Sequence, residues 1–295
     1  MRAQAAIEYL MTYGWAILII AVALAVLFSL GIFNPNQYTA KAQAGACQVT
    51  RPYGPNTTAQ VSLTGVCTGE APREMPQLNG QDASIAIPLY EEGLQQFSIC
   101  FWEYELPGPG SVGGYQVGST SPLYINEVNN GAFEFYPNSI SLWMGAGPGA
   151  AEYNTYPGGW NFLCGTYSYT QNSKEVTLYF NGAAVGTAPA GQSSLSFSQI
   201  VIGDGANTNS GGEAYQTYFP GYITNVQAYN TTLGANAVSA MYRNGLGGVP
   251  ARLQNLVGWW PLNGNGNDYS GNGNDANTEN GVIYTTGWTK FYSST

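Results

Sequence analysis

The sequence predicts a long apolar N-terminal α-helix joined to an all-β sandwich. Three observations carry this reading. A run without any charged residue extends from Tyr9 to Ala40. Beyond it the helix formers Lys, Glu and Leu become scarce, and Thr, Ser, Asn, Gly and Tyr take their place, with 39 Gly and 22 Tyr in 295 residues. These are residues of strands and turns. Short apolar or alternating segments then recur at close intervals between Gly-rich turns, which is the pattern of a sandwich.

Ala, Ile, Leu and Val dominate Ala16–Leu30, so one continuous helix is expected from about Gln4 to Ser29. At ~1.5 Å per residue it spans ~39 Å, enough for a ~30 Å hydrocarbon core. Gly31 and the Asn34-Pro35-Asn36 turn stop it. Tyr9, Tyr13 and Trp15 cluster near its start, as interfacial aromatics do. Such a segment leaves water for a membrane or for a bundle of its own copies. It is too long for a secretory signal, and Leu30-Gly31-Ile32-Phe33 makes a poor cleavage site. A plain membrane anchor explains everything except Glu8. An acid costs ~2.5–3.5 kcal/mol at mid-bilayer, less near the interface, and the helix dipole favours it in the first turns.

The segment RAQAAIEYL (Arg2–Leu10) resembles the processing site of archaeal type IV prepilins, which carry class III signal peptides. Ile7–Ile20 is similar to members of that family as well. The resemblance implies a leader of residues 1–3, cleavage between Ala3 and Gln4, and Glu8 as the fifth residue of the mature chain. It implies processing by a prepilin peptidase at the membrane. The hydrophobic segment, residues 4–34, would then move from lipid into a filament core of identical helices. There Glu8 would pair with the free α-amino group at Gln4, its own or a neighbour's, offsetting the desolvation of both charges. The expected location is the cell membrane before assembly and an extracellular surface filament after it.

Composition narrows the rest. Only 8% of residues are charged and the net charge is −9, which argues against nucleic acid as a partner. The absence of His removes Ser-His-Asp catalysis, His-based zinc sites and the ordinary pH switch. None of Cys47, Cys67, Cys100 and Cys164 is spaced as CxxC, so zinc is not indicated. Outside the membrane disulfides persist, and a Cys47–Cys67 bond would staple the segment just past the helix. Asn56-Thr57-Thr58 and Asn230-Thr231-Thr232 fit the acceptor pattern for N-glycosylation at Asn56 and Asn230.

Residues 35–75 read as a linker with a small hairpin. Pro52 and Pro55 mark its turn and Gln60–Val66 alternates like a strand. Residues 76–295 form the sandwich. Strands are expected at Ala83–Ile87, Phe97–Tyr104, Ala132–Tyr136, Ser139–Met144, Trp160–Tyr167, Glu175–Phe180, Gln199–Gly203, Gly221–Tyr229 and Leu256–Leu262. Asn181-Gly182 is the strongest tight-hairpin signal. Leu233–Gly245 is the one helical stretch expected here, ended by Gly245.

Taken in order, FSICFW, WNFLCGTY, VTLYFNGAAVG, IVIGDG, FPGYITNVQAYNTTL and AVSAMYRNG resemble laminin-G-like modules, the jelly roll of concanavalin A-like lectins and glucanases, over Leu78–Gly245. Leu256–Ala276 is also similar to that family, where such a segment usually opens the module. Here it follows, which implies a permuted strand order. The resemblance puts Cys100 and Cys164 on neighbouring antiparallel strands, where they form a cross-strand disulfide or remain two buried thiols. It places Trp102 and Trp160 on the same faces as core aromatics rather than as platforms for sugars.

Asp268, Ser270, Asn272, Asn274 and Glu279 follow calcium-loop spacing, with Gly273 at the sixth position. No helices are expected on either side, so the loop is not an EF-hand, and laminin-G-like modules often hold calcium at such loops. The competing reading is a set of Asx turns that needs no ion. No catalytic residues are assigned. Glu103 and Glu105 share a strand face, as glucanase carboxylates do, but Leu106-Pro107-Gly108 ends the strand before a third acid, so they read as solvated strand-end charges. Glu91-Glu92 lies in a turn-like stretch. Loops rich in Tyr, Asn, Gly and Ser, Ala146–Gly159 and Asp204–Tyr218, suit recognition of surface glycans or proteins. The expectation is therefore a subunit of an archaeal type IV pilus-like filament whose lectin-like sandwich serves adhesion or cell–cell contact. The alternatives are a monomeric, membrane-anchored lectin-like receptor and a tethered glucanase.

Overall fold

The computed structural model describes residues 16–25, 46–50, 60–64, 72–106, 121–127, 132–135, 140–142, 151–153, 159–208, 214–250 and 252–288. The chain divides into two compact units, Met1–Ala44 and Gly45–Thr295. In the first, residues 16–25 form helix α1, and every residue of it is exposed. The rest of the helix expected from Gln4 to Ser29 lies outside the described residues, as do Ala3, Gln4 and Glu8. Among the described residues no helix is long and apolar enough to cross a membrane.

The second unit begins with a hairpin of β1 (Ala46–Thr50) and β2 (Gln60–Thr64), antiparallel with Cys47 opposite Leu63. Cys67 and Asn56 lie outside the described residues. Then follow β3 (Met75–Asn79), β4 (Ser84–Leu94), β5 (Gln96–Glu105), β6 (Leu123–Glu127), β7 (Ala132–Glu134), β8 (Ile140–Leu142), β9 (Ala151–Tyr153) and β10 (Asn161–Tyr169). The series continues with β11 (Lys174–Phe180), β12 (Ala183–Pro189), β13 (Leu195–Ile202), β14 (Asp204–Thr208), β15 (Ala214–Tyr218) and β16 (Pro220–Tyr229). Helix α2 (Ala235–Arg243) and strands β17 (Leu256–Trp260), β18 (Thr278–Asn280) and β19 (Ile283–Thr285) complete the chain.

Two sheets carry the fold. The larger runs β12-β11-β10-β5-β16-β3-β19, with β17 also paired to β16. The smaller runs β18-β4-β13-β6-β7. Alternation along β4 turns Ile85, Ile87 and Leu89 inward against Phe97, Ile99 and Phe101 of β5, and this inter-sheet contact is the main core. The three C-terminal strands enter both sheets: β17 beside β16, β18 beside β4 and β19 beside β3. A segment that follows most of the module thus completes it, the arrangement expected for the displaced LVGWWPL strand.

Strand β16 is buried over its whole length, and so is most of β5 and β10. The reason is a second apolar layer on the outer face of the large sheet. There Val238 and Met241 of α2, three residues apart, cover Cys100, Trp102, Phe162, Cys164, Tyr229 and Trp259. Arg243 occupies the last turn of α2 and Gly245 follows at φ 74°, which ends the helix as its sequence predicts. Asn181 and Gly182, at φ 49° and 81°, form the two-residue turn that pairs Phe180 with Ala183. Gly182 is required twice, because a Cβ there would also lie 2.9 Å from Tyr242 Cβ on α2.

Cys100 faces Cys164 in register across β5 and β10, and the two form a disulfide with a Cα–Cα distance of 4.0 Å. It links residues 64 positions apart under α2. Replacing both cysteines with Ala should lower unfolding free energy by ~2–4 kcal/mol in denaturant titrations, through the freed unfolded chain. An unchanged midpoint would show that the bond contributes nothing to the sandwich.

Candidate functional site

The predicted calcium loop is a structural knot. Asp268 is buried, and its carboxylate accepts four donors. Oδ1 takes the amides of Trp259 (3.0 Å) and Ser270 (2.7 Å), while Oδ2 takes Ser270 Oγ (2.8 Å) and the Asn274 amide (3.0 Å). Asn272 donates Nδ2 to the carbonyls of Leu256 and Val257, and Asn274 donates Nδ2 to Val257. The Asn274 carbonyl accepts Trp260 Nε1 at 2.7 Å. Glu279 is exposed on β18 and accepts the Tyr284 hydroxyl at 3.1 Å. A cation would have to displace donors that already fill the Asp268 oxygens, and two of the five expected ligands turn amide hydrogens toward carbonyls. These residues do not fit a calcium ion, and among the described residues no group of three or more Cys, Asp or Glu side chains is placed to hold a metal. The spacing arises because Asx turns and calcium loops both need short oxygen side chains between glycines.

The acids of β5 also differ from expectation. Glu103 is 1% exposed. Strand alternation puts Glu103 and Glu105 on the face of Phe97, Ile99 and Phe101, so they point between the sheets at the end of the strand, opposite Ile223 and Gly221 of β16. Glu103 is therefore not a solvated charge, and Glu105 is half-buried. Burial pushes the Glu105 carboxyl up from the ordinary 4.5 to about 7. Asn161 of β10, itself buried, stands opposite Glu103. Glu91 also lies within a strand, β4, opposite Phe197, and partial burial raises its pKa.

The expected binding loops fare unequally. Asp204–Tyr218 is largely a hairpin, because β14 and β15 pair from Asp204–Tyr218 to Thr208–Ala214. Within Ala146–Gly159 the structure describes only β9, paired with β8, and Gly159. Asn230 is exposed at the end of β16, as a glycan acceptor must be.

On the outer face of the large sheet the aromatic side chains separate into two groups. Under α2, Trp102 stacks on Tyr242 at 5.6 Å and meets Phe162 at 5.3 Å. Beyond it, Trp160 gathers Tyr104 (5.5 Å), Trp288 (6.2 Å) and Tyr222 (6.4 Å). Trp102 is core, as expected, whereas Trp160 and Tyr104 remain only half-buried. A polar network missed in the sequence lies beside them. Asn225 Oδ1 accepts Trp259 Nε1 (2.8 Å) and Gln227 Nε2 (2.9 Å), Asn225 Nδ2 donates to the Gly248 carbonyl (2.8 Å), and Tyr229 donates its hydroxyl to Gln227 Oε1 (2.7 Å). It pins residues 244–250 onto the sheet and has no local sequence signal.

Two facing antiparallel sheets with a short helix over one of them define a concanavalin A-like sandwich. The chain matches the concanavalin A-like lectin/glucanases superfamily over residues 79–239, more than half its length, and belongs to it. Among solved structures it resembles a carbohydrate-binding protein, described as putative, from Bacteroides ovatus (15% identity, TM-score 0.51, 73% of this chain and 61% of that one). It also resembles a heptameric SAP-like pentraxin from Limulus polyphemus (15% identity, TM-score 0.49, 72% and 94%) and domains LG4-5 of the mouse laminin α1 chain (17% identity, TM-score 0.39, 53% and 41%). At these identities the likeness concerns the fold. No curated protein matches the chain by sequence.

Two outcomes follow. Asp268→Ala should strip four hydrogen bonds from a buried loop and destabilise the protein by about 3 kcal/mol, with added calcium leaving the wild-type Tm unchanged. A calcium-dependent rise in Tm that Asp268→Ala abolishes would restore the ion. For Glu105 the folded pKa lies above the unfolded one. Its contribution to stability is therefore fully present below 4.5 and is lost as pH rises through about 7. Thermal scans should show Tm falling across that window, and Glu105→Gln should flatten the fall. An equal slope in both proteins would refute the assignment.

Proposed function

We propose that this chain is a subunit of an archaeal type IV pilus-like surface filament that displays a lectin-like sandwich for adhesion or cell–cell contact. The observation that carries the reading is helix α1. It is apolar all round and exposed all round, with Ile17 66% and Ile19 63% exposed. A helix of that kind requires lipid or other helices about it. The RAQAAIEYL segment favours helices of the same chain, with cleavage between Ala3 and Gln4, Glu8 paired to a freed α-amino group, and prepilin peptidase acting at the membrane first.

The second unit supports a binding role. It belongs to a superfamily that includes lectins, and the Bacteroides ovatus protein of similar fold is described as a putative carbohydrate-binding protein. A catalytic role is less well supported, since Glu103 is sealed between the sheets and the outer-face positions of β5 carry Cys100, Trp102 and Tyr104. A monomeric anchored receptor would share the sandwich but not the polymer.

N-terminal sequencing of surface filaments sheared from cells separates these readings. The filament reading expects a first residue of Gln4, and expects Glu8→Ala to insert into membrane normally while lowering filament yield. A chain that keeps Met1 and stays monomeric in detergent would refute it.

A further inference from the structure

We propose that the point where the chain enters the sandwich is a mechanical clamp, which passes tension from the N-terminal tether around β3 and onto β16. The proposal rests on reading the N-terminal helix as the tether, whether in a filament or in a membrane. Force on a sandwich held in that way reaches it through residues 72–75, where the covalent chain joins it. Strand β3 alone makes a poor anchor. It has five residues, and each neighbour covers part of it: β19 pairs with Met75–Gln77 and β16 with Gln77–Asn79. Arg73 and Glu74 are exposed and precede the first pair, Met75 with Thr285. Tension applied there alone would peel β3 from its end, one pair at a time.

Three hydrogen bonds meet the tension ahead of β3. Asn263 Oδ1 accepts the amides of both Arg73 (2.9 Å) and Glu74 (3.1 Å). Trp288, which is buried, donates Nε1 to the Arg73 carbonyl at 3.4 Å. The two clamping residues lie 190 and 215 positions after Arg73. The entry is thus tied to the far end of the chain rather than to its own neighbours. Trp288 is held in turn by Trp160, edge-on at 6.2 Å, and shares an apolar cluster with Met75.

Behind the clamp stands β16. Asn263 follows Leu262, which is fully buried at φ 55°, and Pro261, whose carbonyl accepts Thr224 Oγ1 (2.7 Å) and the Asn225 amide (3.3 Å). The path from Asn263 to the buried centre of the large sheet is therefore two residues long. Gly264 lets the chain turn away at φ 79°, and a Cβ there would lie 3.3 Å from Glu74 Oε2, so the entry segment approaches closely. Two amides on one side-chain oxygen add little to equilibrium stability. Their placement gives them a direction: they resist a pull on residue 72 and are bypassed by a pull between other points of the sandwich.

The test stretches single full-length molecules in detergent, through clickable residues introduced in pairs. With handles at positions 45 and 171 the tension crosses the clamp; with handles at 171 and 236 it does not, and both Gln171 and Asn236 are exposed. Forced unfolding reads the rate of escape from the native state. At one fixed force Asn263→Ala should unfold about tenfold faster than wild type in the first geometry, and at the wild-type rate in the second. Trp288→Phe, which keeps a ring and removes the donor, should act in the same direction, and it decides the matter if Asn263→Ala does not fold. Wild-type rates in the first geometry, or equal acceleration in both, overturn the clamp. Whether the chain polymerises is decided separately, by the first residue of the sheared filaments.

Discussion

Strand β16 cannot be left half-paired. It is buried from Pro220 to Tyr229, so every amide and carbonyl along it needs a protein partner. One side is covered by β5. On the other, β3 reaches only Pro220–Tyr222, and β17 takes over at Val226–Tyr229. Between them the strand bulges, with Asn225 at φ 52°, and Pro261 closes the gap by accepting Thr224 Oγ1 and the Asn225 amide. The C-terminal segment is therefore part of the sandwich rather than an appendage to it. Asp268 holds that segment in place by gripping the Trp259 amide, which is why its carboxylate serves the fold and not an ion.

The same constraint shapes the outer face. Burying β16 and β5 on both sides requires a second layer, and α2 with residues 244–250 supplies it through the Asn225–Gln227 network. The layer ends before it reaches Trp160. The large sheet thus passes from sealed core to half-open aromatic surface within a few residues along its strands.

Much of this was legible in the sequence. Asn181-Gly182 announced its turn because its backbone angles tolerate few other residues, and runs such as FSICFW marked strands of the sandwich. The facing of Glu103 was legible too. A two-residue period ties it to Phe97, Ile99 and Phe101, yet its position at a strand end suggested solvent. The Asp268 loop was ambiguous in principle, since one spacing of oxygens and glycines satisfies either a cation or the backbone amides. The Asn225–Trp259 bond joins residues 34 positions apart and has no local pattern to betray it. That Trp102 Nε1 and Trp160 Nε1 are buried without an acceptor depends likewise on packing between distant strands.

The account turns on β17 to β19 being integral to the sandwich. The direct measurement is the unfolding of the second unit made in two lengths, one from Gly45 to Thr295 and one from Gly45 to Gly248. The account predicts a cooperative transition for the longer chain and none for the shorter, whose β16 would expose unpaired backbone. A shorter chain that unfolds cooperatively near the same temperature would contradict it.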